Sequence, residues 1–227
     1  MCHRYSVHDP VLNLNTSSDR WWRWQRNNHR RSNRNPVPVT GRRYNPEAMA
    51  VFKIDEVNEE RPDWSILRFG GVALYWRPQV LADDLNWLEA NGYSIASFET
   101  ADWISEDRLH ESLKAKLSFP AYYGNNLNAL DECMWDDLVV PDAGGLVLVL
   151  NHYDRFVNAA LDGRANDRST AEILLDIFAR ASRYHMLSGR RLIILVQSDD
   201  PKIQFGVLGG MAASWNWREW LNKDRGF

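Results

Sequence analysis

The sequence predicts an α/β fold: a small, mostly parallel three-stranded sheet packed by helices. Three runs supply the strands, YSIASFET (93–100), GGLVLVLN (144–151) and RLIILVQ (191–197). The last two are apolar almost without interruption, as strands buried on both faces are. Amphipathic helical segments alternate with them, the order that yields a parallel sheet covered by helices. A hydrophobic content of 44% with 11 Trp in 227 residues is enough to build a sizeable core.

Residues 1–48 stand apart. RWWRWQRNNHRRSNRNP (20–36) is rich in Arg and Asn and has neither a strand nor a helix period. We read 1–48 as a disordered leader, one that a start at Met49 would leave out of the native protein. A basic, Trp-bearing arm is also the alternative basis for function, a regulator that holds nucleic acid through phosphate contacts and stacking.

Residues 49–90 read as an added N-terminal hairpin and helix. WSILRF (64–69) and VALYW (72–76) are β-rich runs flanking Gly70-Gly71, which reads as a β-hairpin. Pro78 opens a helix through PQVLADDLNWLEAN, with Val80, Leu81, Leu85 and Leu88 at helical spacing and Gly92 just past its end. After the first sheet strand, SEDRLHESLKAKL (105–117) places Leu109, Leu113 and Leu117 on one stripe, with Ser105 as cap. Pro120 interrupts the chain before a helix over roughly 125–138. RSTAEILLDIFARASRYHML (168–187) is a long amphipathic helix. Residues 199–227 form a Trp-rich C-terminal extension, in which WNWREWL reads as a final helical turn.

The net charge of −3 hides an asymmetry. Residues 1–48 carry nine Arg, no Lys and three acids, a net +6, which leaves the rest of the chain at −9. An acidic body favours basic partners and disfavours nucleic acid. No apolar run approaches the roughly 20 residues that span a bilayer, and the N-terminus lacks the apolar core of a secretory signal. Cys2 and Cys133 lie in unlike surroundings, so no disulfide framework is expected and a reducing cytoplasm fits.

Catalytic signatures are missing: there is no P-loop, no GxGxxG after a strand, no HExxH, no paired CxxC and no GxSxG. No cofactor and no metal is expected. His110, on an amphipathic helix, reads as a surface residue, and Cys133 as a small core residue. His152 and Asp154 stand where a strand ends, as α/β active-site residues do, but no nucleophile accompanies them. A hydrolase using Tyr122, Glu132 or His152 is the weakest reading.

The informative stretch is LHESLKAKLSFPAYYGNNLNALDECMWDDL (109–138). If its second half is helical, Leu127, Leu130 and Met134 share one face with Cys133 beside them. Asn128, Asp131, Glu132, Trp135 and Asp136 then occupy the other side, an acidic ridge projecting into solvent.

Leu117, Pro120, Tyr122-Tyr123-Gly124, Asn126 to Leu130 and Glu132-Cys133 recur at the offsets of a known pattern. The segment resembles the barstar family of ribonuclease inhibitors, and the resemblance extends over about 91–198. It implies an intracellular, immunity-type inhibitor, not an enzyme, monomeric when free. Its acidic helix would plug the basic active site of an extracellular-type ribonuclease or nuclease toxin, with no membrane involved. Carried over by position, the contacts are Tyr122, Asn128, Asp131, Glu132 and Glu172, with Gly124 shaping the approach and Trp135 and Asp136 adding contacts one turn on. Asn128 stands where the family has an acid, and Asp131 where it has a Trp.

Overall fold

The computed structural model describes residue 52 and residues 60–159, 169–220 and 223–226. The Arg/Asn-rich leader, its Trp-bearing arm and Cys2 lie outside the described residues.

The main sheet has five strands: β1 (Val72–Tyr75), β2 (Tyr93–Glu99), β3 (Gly145–Asn151), β4 (Leu192–Gln197) and β7 (Ser214–Trp215). They lie side by side in the order β2-β3-β4-β1-β7, and every pair is parallel. The three expected strands are adjacent in it. A separate two-stranded ribbon pairs β5 (Val207–Leu208) with β6 (Met211–Ala212) antiparallel.

Alternation along the strands divides the core in two. Leu146, Leu148 and Leu150 of β3, with Ile194 and Val196 of β4, point to one face. There they meet α3 (Glu106–Leu117), α4 (Leu127–Asp136), α5 (Tyr153–Asn158) and α6 (Thr170–Leu187). Val147, Val149, Ile193 and Leu195 point to the other, covered by α1 (Pro62–Arg68) and α2 (Pro78–Ala90). Both faces being dry explains why β3 and β4 read as continuous apolar runs.

The expected N-terminal β-hairpin does not form. Its first arm is the helix α1, and its second is a parallel strand inside the sheet. Pro62 at the first helical position, Asp63 in the first turn and Arg68 in the last are helix-terminus signals. Buried Asp63 accepts hydrogen bonds from Arg61 (2.9 Å), Tyr93 (2.8 Å) and Arg191 (3.3 Å), which pins α1 to the starts of β2 and β4. WNWREWL leaves the sheet after Trp215 and closes a single turn, the N–H of Trp220 donating to Asn216 O at 3.0 Å. Trp215 lies on β7, and the tail is tied to the N-terminal elements by buried acids. Glu219 accepts from the backbone N–H of Trp76 (2.8 Å) and Arg77 (2.7 Å). Asp84 accepts from Tyr75 and Asn216, both at 2.7 Å. Cavities of about 450 and 520 Å³, sharing Ser214, Trp215 and Trp220 as walls, lie at this end of the sheet.

Among the described residues no helix is long and apolar enough to cross a membrane, and no His/Cys/Asp/Glu group is placed to hold a metal ion.

Candidate functional site

The acidic segment begins with a turn that fixes how α4 departs. The N–H of Tyr123 donates to Pro120 O (3.0 Å), and the Tyr123 ring is buried against Phe119 at a 5.1 Å centroid distance. Its hydroxyl meets Nδ1 of His110 at 2.5 Å. His110 is thus buried, not on the surface as expected, because α3 turns it toward the aromatic pair. That burial lowers its pKa below the ordinary histidine value. Asn126 caps α4, accepting from the N–H of Ala129 (2.9 Å) while its amide donates to Gly124 O (2.9 Å). A Cβ on Gly124 would lie 3.1 Å from that amide, so the approach is close-packed.

Leu130, Cys133 and Met134 face the core, with Leu127 half-buried beside them, as the sequence predicts. Burial, reinforced by Asp137, pushes the Cys133 thiol up to about 12, so it is an inert core residue.

The outer side of α4 is divided. Asn128, Glu132 and Asp136, spaced four apart, form an exposed stripe. Asp131 and Trp135 do not project with them: both turn toward α6. Asp131 Oδ2 pairs with Arg180 Nη1 at 3.2 Å, and Trp135 stacks on Tyr184 with centroids 4.9 Å apart. The correction has a packing cause. The arc next to the core-facing residues is what a parallel neighbouring helix covers, and α6 lies there.

Tyr122 is 73% exposed, and its hydroxyl donates to Asp137 Oδ1 at 2.5 Å. That bond, with the Asp137 charge, pushes the phenol up to about 12. Asp137 was not singled out from the sequence; its place at the helix C-cap becomes informative only once Tyr122 reaches it. Acids at 136 and 137 sit where the helix dipole is negative, and no basic residue lies in the last turn of α4. The strip therefore runs from Tyr122 through Asp136, Glu132 and Asn128 to the edge formed by Asp131 and Trp135.

Glu172 lies in the first turn of α6. It lies two turns before Arg180, about 12 Å along the helix, and its Oε1 accepts from the N–H of Gly206 (3.1 Å). His152 and Asp154 join a different cluster, at the C-terminal ends of the strands. His152 has left-handed backbone (φ 55°), and its Nδ1 lies 2.8 Å from Glu99. Asp154 accepts from the N–H of Asp199, which pairs with Arg155 at 3.1 Å.

Residues 93–197, from the first residue of β2 to the last of β4, match the family model "Barstar (barnase inhibitor)". "Putative ribonuclease inhibitor YrdF" of Bacillus subtilis (strain 168) is 43% identical over 68 residues, 29% of this chain and 67% of that protein. The chain belongs to the barstar family. Barstar-family inhibitors bind ribonucleases and are not enzymes. The match covers three adjacent strands and α3 to α6, with the Tyr122 turn and α4 inside it. Of the elements that flank it, β1 and β7 join the same sheet, α1 and α2 cover its second face, and the β5–β6 ribbon packs on α6.

Proposed function

We propose that the chain is a cytoplasmic inhibitor, monomeric when free, that blocks the basic active site of an extracellular-type ribonuclease or nuclease toxin with α4. The observation that carries this reading is the exposed stripe of Asn128, Glu132 and Asp136, set beside the Tyr122–Asp137 pair. Negative charge concentrated at a helix C-terminus costs stability, roughly 0.3–1 kcal/mol per residue at the surface. A function in binding a cation-rich surface accounts for keeping it there. Ribonuclease clefts are cationic because their substrate is a phosphate chain, and carboxylates held on a rigid helix occupy the positions of phosphates. Complementary charge of this kind speeds encounter and rejects wrong partners.

Glu132 lies at the centre of the stripe and is its principal contact. Tyr122, Gly124, Asn128 and Asp136 surround it, and Asp131 and Trp135 form the border against α6.

The test is inhibition of RNA hydrolysis by the full chain across a panel of small basic ribonucleases, barnase among them. At least one member should be inhibited with one-to-one stoichiometry, and Glu132→Ala should weaken that inhibition by about 2 kcal/mol or more. Wild-type affinity in that variant removes α4 as the inhibitory element. RNA cleavage by the chain alone, across the same panel conditions, contradicts the inhibitor reading altogether.

A further inference from the structure

We infer that the β5–β6 hairpin of the C-terminal extension is a second contact element of this binding face, presenting Val207 to an apolar patch beside the ribonuclease's basic cleft. The inference rests on the reading of α4 given above.

A hairpin with two residues per strand does not hold its shape alone, and this one is fastened to α6. Glu172 Oε1 accepts from the N–H of Gly206 (3.1 Å), and Asp176 Oδ1 from that of Gly209 (2.8 Å). Arg183 donates to Gly209 O. Gly209 has φ 56°, and a Cβ there would lie 2.9 Å from Ala179 Cβ, so the turn is pressed onto the helix. Leu208 points inward and is 2% exposed, while its neighbour Val207 is 60% exposed.

The hairpin is linked to α4 through side chains of α6. The other oxygen of Asp176 lies 3.3 Å from Arg180 Nε, and Arg180 pairs with Asp131 at 3.2 Å. One chain of contacts thus links Asp131 at the border of the acidic stripe to the hairpin turn. An exposed apolar side chain on a pre-fixed turn adds contact area with little ordering cost on binding. An apolar contact beside a charged stripe is also the usual make-up of a specific interface. Glu172, carried over from the family as a contact, here acts as the hairpin's anchor: a positioning residue.

The experiment uses the full chain and the same ribonuclease panel, comparing Val207→Ser, Glu172→Ala, their combination and Glu132→Ala. Val207→Ser should raise the inhibition constant at least fivefold with thermal stability unchanged. Glu172→Ala, which removes the acceptor, should raise it less, and the combination should be no worse than Val207→Ser alone, because both act through one hairpin. Loss of inhibition in Glu132→Ala with wild-type inhibition in Val207→Ser overturns the hairpin's role and leaves α4 standing. Multiplicative effects of the Glu172 and Val207 changes overturn the anchor assignment. Wild-type inhibition in both Val207→Ser and Glu132→Ala overturns the α4 reading and this inference together.

Discussion

Arg180 on α6 and Asp131 on α4 meet at 3.2 Å, each with about one third of its side chain exposed. The same guanidinium lies 3.3 Å from Asp176 Oδ2, and the second oxygen of Asp131 is buried without a hydrogen bond. Arg180 therefore holds two carboxylates, one on each helix. Replacing it with Met leaves both facing a partly dry groove. Allowing for solvent screening, the loss should be about 1–2 kcal/mol, read from the urea midpoint. Lys is a compact point charge that cannot span both acids, so Arg180→Lys should recover less than half of it.

Because Arg180 neutralises Asp131 while Glu132 faces solvent, neighbouring acids should behave differently in binding. Asp131→Asn is expected to change the inhibition constant less than threefold, whereas Glu132→Gln changes it at least tenfold. Equal losses from both substitutions would mean that the partner pulls Asp131 away from Arg180.

How much of this surface the sequence could reveal depends on which forces set each part. β3 and β4 were legible because strands with two dry faces leave an unbroken apolar signature, and α3 because Leu109, Leu113 and Leu117 recur every four residues. α1 was not. Trp64, Ile66, Leu67 and Phe69 fit a short strand as well as a short helix, and the deciding contact of Asp63 with Arg191 lies 128 residues away. The ridge on α4 was legible as a set of five residues at offsets of three and four. Its division into an exposed stripe and a helix-facing pair was not, since only the position of α6 separates them. Glu219, Asp176 and Arg183 failed to register for the same reason: their partners are distant backbone groups, which leave no pattern in side-chain order.

The Tyr122–Asp137 bond supplies a spectroscopic check. The phenol ionises near 12 chiefly because its proton is shared with the Asp137 carboxylate. In Asp137→Asn the tyrosinate absorbance of this residue should appear near the ordinary tyrosine value of about 10. Tyr122→Phe should remove that component from the titration while leaving the others in place. Persistence of the transition near 12 in Asp137→Asn would show that another group raises it.

His110 and His185 give the fold a defined pH response. Burial is the main cause that lowers both pKa values below that of an exposed histidine. The folded protein thus takes up these protons less readily than the unfolded chain. Stability is full above the unfolded value of about 6.5 and falls as pH drops from there toward the folded values. Thermal midpoints should decline between about pH 7 and pH 5, and the decline should shrink in His110→Gln and again in the double variant with His185→Gln. A midpoint that rises over this interval contradicts the assignment.

At Gly71 the N-terminal elements come into close contact with the family portion. Its φ is 82°, and a Cβ there would fall 2.0 Å from Ser182 Oγ and 2.7 Å from Ser182 Cβ. Ser182 has little room to give, because its hydroxyl donates to Leu192 O at 2.6 Å in the core between α6 and β4. Gly71→Ala therefore combines a left-handed backbone penalty of about 1 kcal/mol with a collision against a fixed neighbour. The total should be about 3 kcal/mol or more in urea denaturation. Ser182→Ala removes only the hydroxyl and leaves Cβ in the way, so it should rescue little. Ser182→Gly clears both atoms and should show a favourable coupling with Gly71→Ala of at least about 1 kcal/mol. The backbone part of the penalty should remain. If Gly71→Ala alone stays within about 0.5 kcal/mol of wild type, α1 and β1 are not seated on α6 in this way.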